Sequence, residues 1–293
     1  MIYTIENDKV CVKINDLGAE IKSIYGKNSN FEYIWHGSPD YWKRSAIVLF
    51  PICGRLFKGK YTYNGKEYEM SIHGFANSSV FTVAEHSSDK IVFELRENKE
   101  TLTMYPFKFL FRVTYSLDGA KLRTSLYAKN TGNDDLPCSL GGHPGFNIPL
   151  SDGLKFEEHY IEFIEKGTKI KNVFSDNGFD LGLTEPYPLT DDNKLLLTHD
   201  LFSTDAIFLK ENSGTVTLKS DKSERFVRVD YNDATHLGFW QTNKPDAPFV
   251  CIEPWHGVPA HEGIIDDFST KNELLHLKNG ESYEFHFDIT VSE

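Results

Sequence analysis

Four short segments carry side chains suited to binding or acid–base chemistry. In Leu49-Phe-Pro-Ile-Cys-Gly-Arg-Leu-Phe-Lys-Gly59 the guanidinium of Arg55 lies inside an apolar stretch. Burying it there would require partners, so it either closes a structural salt bridge or forks hydrogen bonds onto a polar ligand or a catalytic carboxylate. In Ser71-Ile-His-Gly-Phe75 the glycine after His73 lets the backbone turn or approach a ligand closely. A lone histidine of this kind serves structure as readily as chemistry. Two glycines before and a Pro-Gly after pin His143 onto an irregular, tightly bent segment in Gly141-Gly-His-Pro-Gly-Phe-Asn147, and the proline holds it extended. In Phe249-Val-Cys-Ile-Glu-Pro-Trp-His-Gly257, alternation sends Val250 and Ile252 to one face and Cys251 and Glu253 to the other. Glu253 thus ends an apolar strand, and Trp255 offers a wall that would desolvate its carboxylate and raise its basicity. Such a group is either hydrogen-bonded structurally or poised to move a proton.

Other chemistries lack their motifs. His261-Glu-Gly-Ile-Ile265 begins like a zinc-protease helix but has no second histidine, and His256 and His261 are not at helical ligand spacing. No Gly-x-Ser-x-Gly elbow, phosphate-binding loop or dinucleotide fingerprint occurs, so the spacing predicts no metal, nucleotide or other cofactor. The balance of 31 basic and 43 acidic residues gives a net charge of −12, which repels nucleic acid and anionic membranes. Cys11, Cys53, Cys138 and Cys251 form no Cys-x-x-Cys pair and read as buried thiols in a reducing cytoplasm. The N-terminal residues alternate like a strand and lack a signal peptide's pattern, and no apolar run approaches membrane-spanning length.

The elements that must position these groups read as strands. Phe107, Phe109, Phe111, Val113, Tyr115 and Leu117 alternate with more polar residues, followed by Asp118-Gly119 and then Leu122 to Tyr127, which predicts a hairpin. Tyr283, Phe285, Phe287, Ile289 and Val291 share one face of a C-terminal strand. Shorter runs at Val10–Ile14, Ile91–Leu95, Thr215–Leu218, Phe226–Tyr231 and Phe249–Glu253, separated by turn residues, complete an all-β pattern. Leu136 to Leu140 is expected to deliver His143 to a sheet end, and short helices are expected near His159–Glu165 and after His261. The 22 Phe and 14 Tyr suit pleated, half-buried surfaces and the stacking walls of sugar sites. No linker or composition shift divides residues 1–293, so one domain is expected.

Read in order, Asp16-Leu-Gly-Ala-Glu-Ile-Lys-Ser-Ile24, Tyr41-Trp42, the Phe-Pro-Ile-x-Gly-Arg segment, His73-Gly74, Gly142-His143-Pro144, Asp205-Ala-Ile-Phe208 and Ile252-Glu253-Pro254-Trp255 resemble the landmarks of the aldose 1-epimerase (mutarotase) family. The resemblance runs from about Gly18 to the C-terminal strand and looks most like the branch associated with lactose-operon genes. It implies a large antiparallel β-sandwich, the galactose mutarotase-like supersandwich, with few short helices. It also implies a cofactor-free isomerase that interconverts the α and β anomers of a free hexose such as galactose or glucose. Carried over, His143 corresponds to the general acid and Glu253 to the general base, while Arg55, His73 and Asp205, with Trp255, hold the sugar. Without the resemblance Asp205 would read as a cap or turn in Phe202-Ser-Thr-Asp205. Gly54 before Arg55, Phe75 after His73-Gly74, and Gly145-Phe146 after Pro144 depart from the best-studied galactose mutarotases, which bears on sugar preference. Competing readings are a sugar-binding or sensing protein without turnover, a hexose-phosphate mutarotase using Arg55 with Lys58 or Arg44, and a glycosidase using Asp205 and Glu253.

Overall fold

Alternating apolar residues dictate sheets with one face inward, and two large antiparallel sheets hold most of the strand residues. The computed structural model describes residues 1–211, 213–271 and 273–292. A nine-stranded sheet has Phe109–Asp118, Lys121–Asn130 and Ser282–Val291 as consecutive neighbours near its middle. A seven-stranded sheet runs from the hairpin Asp180–Tyr187 and Lys169–Phe174 through Ile207–Lys210, His236–Trp240, Phe249–His256 and Leu140–Asn147 to Ala46–Leu49. A four-stranded N-terminal sheet, the hairpin of Lys60–Tyr63 with Lys66–Glu69 and the long-range pair of Leu136–Cys138 with Leu275–Leu277 complete the described β structure.

The two large sheets face one another across an aromatic core. Phe50 stacks on Phe111 at 4.4 Å, Phe163 meets Phe239 edge-on at 5.9 Å, and Phe285, Phe287, Ile289 and Val291 are buried as their alternation predicts. Burying each such ring contributes about 1.5–3 kcal/mol. Tyr105 and Tyr115 bring hydroxyls into this interior, and both are matched, donating to the carbonyls of Pro137 and Ala19 at 2.9 and 2.7 Å.

Val48, Leu237, Phe239, Val250 and Ile252 of the seven-stranded sheet point into that core. Their alternate neighbours, Ile47, Leu49, Cys251, Glu253 and Trp255, point the opposite way. The outer face of this sheet is therefore where chemistry-bearing side chains can collect.

The sequence and the structure part at four places. His143 lies inside the regular strand Leu140–Asn147, paired on both sides, and not on a bent segment at the end of a strand over 136–140, since Leu136–Cys138 pairs instead with Leu275–Leu277 in a separate two-stranded sheet. Residues 159–165 form no helix: Tyr160–Phe163 is a strand paired with Gly214–Lys219 and Lys194–Leu196. A four-residue run with Ile161 and Phe163 both in the core satisfies a sheet but is too short for a helix. Between His261 and the strand Leu275–Leu277 the described residues make turns and bridges, with no helix among them. In the long hairpin Asp118 pairs with Lys121, so the turn residues are Gly119 and Ala120, and the strand before it begins at Phe109. Gly119 at φ +58° supplies the positive dihedral that a two-residue turn needs at its first position. Among the described residues helix is confined to Thr101–Met104 and four short 3-10 turns.

Candidate active site

Two adjacent strands build the centre of the site. Leu140–Asn147 pairs with Phe249–His256 so that Gly141 lies opposite Trp255 and Gly145 opposite Cys251, which sets His143 across from Glu253. Both side chains emerge on the outer face, with His143 Nε2 3.3 Å from Glu253 Oε1. The histidine is 6% exposed and the glutamate 1%. The glycines of the motif clear space for their neighbours. A Cβ at Gly141 would lie 2.9 Å from the Trp255 ring, and one at Gly145 3.1 Å from Trp42. Gly238, paired with Glu253, likewise makes room for the Phe208 ring, which would lie 2.7 Å from a Cβ there.

This pair opens onto a cavity of about 250 Å³, lined also by Trp42, Arg55, Ile72, His73, Asp205, Phe208, Trp240 and Trp255. All six site residues read from the sequence meet there. Trp255 gives the cavity a wall only, because its indole N–H is committed to the Gly142 carbonyl at 3.2 Å. Arg55 is not buried, contrary to the apolar stretch around it. Its side chain is 38% exposed at the rim and lies 3.4 Å from Asp205. It also donates to the Asn177 carbonyl, beneath the turn that joins Lys169–Phe174 to Asp180–Tyr187. Gly178 in that turn allows the arrangement, since a Cβ there would lie 2.1 Å from Asp205 Oδ2.

His73 is half-buried with a left-handed backbone, φ +64°, a strained conformation for a residue with a side chain. Its Nδ1 accepts the Gly54 N–H at 3.1 Å, which leaves Nε2 to carry the ring's proton and donate into the cavity. Packing of protein around the ring, with the Arg55 charge second, pulls its pKa down to about 3, so it is a neutral donor.

Burial also dominates the central pair, in opposite directions. It lifts Glu253 well above the ordinary carboxylate range, with the Asp205 charge adding to the effect. It drives His143 well below the ordinary histidine value, with His73 adding to the effect. The 3.3 Å contact therefore joins a carboxylic acid to a neutral imidazole, two groups sharing one titratable proton, rather than a standing ion pair. Glu253 Oε1 and His143 Nδ1 have no protein hydrogen-bond partner.

No hydrogen bond to Nδ1 orients the His143 ring, and aromatic packing does so in its place. Trp42 stacks on the imidazole at 4.8 Å and 26°, and Trp240 meets it edge-on at 5.5 Å. Sequence alone gives Trp42, Trp240 and Gly178 no role. Tyr41-Trp42 was visible as a landmark, and Asn177-Gly178 is a turn dipeptide between strand-like runs, but only the fold brings either to His143 or Asp205. For a metal, the available donors among the described residues are His143, Cys251 and Glu253, whose ligand atoms lie within 4.8 Å of one another.

The chain is similar to known proteins along its whole length. A family model described as aldose 1-epimerase matches residues 1–290. The plasmid-encoded protein LacX of Lactococcus lactis subsp. lactis is 34% identical, with 99% of each chain covered. A crystal structure of a galactose mutarotase related enzyme from Lactobacillus acidophilus superposes with TM-score 0.95 at 37% identity, covering 100% of this chain and 98% of its own. A galactose mutarotase-like protein from Lactobacillus casei superposes with TM-score 0.94 at 30% identity, with both chains fully covered.

Proposed function

Because this chain belongs to the aldose 1-epimerase family, and is thus an isomerase of mutarotase type, we propose that it exchanges the anomers of a neutral, free hexose, with Glu253 as general base and His143 as general acid. The observation that carries the reading is the 3.3 Å His143–Glu253 contact on the floor of a sugar-sized cavity. Moving the pair's single titratable proton from Glu253 to His143 yields a carboxylate and an imidazolium. Glu253 then takes the proton of the C1 hydroxyl while His143 gives its proton to the ring oxygen. The C1–O5 bond breaks and C1 becomes an aldehyde. At that stage both side chains are again uncharged, the form their burial favours, so the open chain is generated where the site's electrostatics are most relaxed. Rotation about C1–C2 presents the other carbonyl face. His143 takes back the O5 proton, O5 attacks C1, and Glu253 protonates the new hydroxyl. Each proton transfer contributes about 10²–10⁴-fold. Arg55, His73 and Asp205 supply hydrogen bonds to the remaining hydroxyls, and Trp255 packs against the ring.

A phosphorylated sugar fits less well. Arg55 already faces Asp205. Arg44 is engaged by Glu20 at 3.5 Å and by the Asn77 carbonyl. No lysine lines the cavity among the described residues. A glycosidase reading leaves Asp205 tied to Arg55 and gives His143 no task. Anomer exchange measured by NMR across glucose, galactose and their 6-phosphates tests the proposal. Acceleration for a free hexose exceeding that for its phosphate is expected, and binding without acceleration of any sugar would refute it.

Two further outcomes follow. The pH profile of kcat/KM should be a broad plateau, because the working form of the pair carries one proton. A second proton is gained only below the ordinary histidine value of 6.5, since His143 is depressed. The single proton is lost only above the ordinary carboxylate value of 4.5, since Glu253 is elevated. Independent groups at ordinary values would instead give a narrow peak between 4.5 and 6.5, falling through neutrality. Replacing Trp42 with Leu should lower kcat about 2- to 13-fold, the ~0.5–1.5 kcal/mol of an aromatic contact, with Trp42→Phe recovering most of it. An unchanged kcat in the leucine variant would show that Trp42 does not orient the ring.

A further inference from the structure

Cys251 has no part in the proton relay, yet it lies one alternation from Glu253 on the same outward face. Its Sγ, a His143 nitrogen and a Glu253 oxygen come within 4.8 Å of one another, and all three residues are buried. Glu253 Oε1 and His143 Nδ1 lack protein hydrogen-bond partners, so both side chains keep unused ligating capacity. The three ligand types, thiol, imidazole and carboxylate, are those of a borderline-soft divalent cation rather than of Mg²⁺ or Ca²⁺.

We propose that His143, Cys251 and Glu253 form an inhibitory binding site for Zn²⁺ or a cation of the same class. Tetrahedral zinc places its ligand atoms roughly 3.3–3.7 Å apart. The His143–Glu253 separation of 3.3 Å is already one edge of that figure. The sulfur closes the face by a shift of about an ångström, within the reach of a side-chain adjustment. The fourth position opens onto the cavity, where water or a sugar hydroxyl can sit. Binding releases two protons, one from the thiol and one shared by the pair. The resulting thiolate and carboxylate neutralise the ion, so no net charge is created in a site whose burial disfavours charge. Affinity therefore rises with pH. A bound ion occupies both relay groups at once and stops proton transfer. His143 comes from a strand about a hundred residues away in sequence from the one that carries Cys251 and Glu253, which is why spacing predicts no metal centre.

The metal site stands on the donor geometry alone, and only its inhibitory consequence rests on the proposed function. Titration calorimetry with Zn²⁺ and absorption spectroscopy with Co²⁺ on the purified chain read binding directly. One ion per chain is expected, with a thiolate-to-cobalt charge-transfer band in the near ultraviolet. Affinity should fall at least about tenfold in Cys251→Ala, with loss of that band, and Cys251→Ser should lie between. Mg²⁺ should neither bind nor compete. In the activity assay Zn²⁺ should compete with sugar, a chelator should restore the rate, and the cysteine variants should keep their metal-free rate. Absence of stoichiometric zinc binding overturns the site, as does a cobalt complex without the thiolate band or equal affinity in folded Cys251→Ala. Should an alanine variant fail to fold, the cobalt band of the unmodified chain still decides. A chain that binds zinc through sulfur but accelerates no sugar would retain the site and discard the epimerase reading.

Discussion

Glu253→Gln is expected to slow anomer exchange at least about a hundredfold, a barrier increase of ~2.7 kcal/mol, and at the same time to raise the melting temperature. The two effects share one cause. Glutamine keeps the shape and a hydrogen-bonding head but cannot accept the C1 hydroxyl proton. In the unfolded chain Glu253 ionises above about 4.5, while in the folded protein its pKa is raised by burial and the Asp205 charge, so it stays protonated to higher pH. The unfolded state thus sheds a proton that the folded state keeps, and stability falls as pH rises from 4.5 towards the folded value. The amide removes that penalty, and each kcal/mol regained is worth roughly 2–4 °C. Measured by polarimetry and calorimetry at neutral pH, a slow but more stable variant is the expected result. A near-normal rate would remove Glu253 from the base role, whatever the melting temperature.

His143→Asn should reduce the rate by a comparable 10²–10⁴-fold, because asparagine can fill the space beside Trp42 but cannot relay a proton to the ring oxygen. The informative measurement is the double variant. If the two groups act as one proton-sharing unit, His143→Asn with Glu253→Gln should be little slower than the slower single variant. Rates that multiply would mean that the groups work independently. Stability separates the single variants further. His143 is held neutral, so in the parent chain the unfolded state gains a proton below about 6.5 that the folded state refuses. That acid-side loss of stability should shrink in His143→Asn and persist in Glu253→Gln.

The parts of the fold legible in the sequence are those where a two-residue period meets a one-sided core. Phe109 to Leu117 and Tyr283 to Val291 announce their buried faces, and Val250 and Ile252 against Cys251 and Glu253 announce both faces of the glutamate strand. Tyr160–Phe163 was misread because four residues are too few to separate the helical period from the strand period, and pairing with distant neighbours decided it. The buried appearance of Arg55 failed for a related reason. An apolar run does not say which residue turns outward, and Asp205 with the Asn177 turn draws this one to the rim. His143 and Glu253 could be picked out because proline and glycine constrain each locally. Trp42 could not be given its task, since a stacking partner is defined only after the sheet has brought distant segments together.

The register between the histidine and glutamate strands carries one last implication. Slipping that pairing by a single residue would turn Glu253 and Cys251 toward the phenylalanine interior and expose Ile252 and Val250 to water. A mispaired chain would be too greasy outside and too polar inside to persist. Self-assembly thus proofreads the enzyme: whichever molecules survive folding already have their proton-handling groups on the correct side.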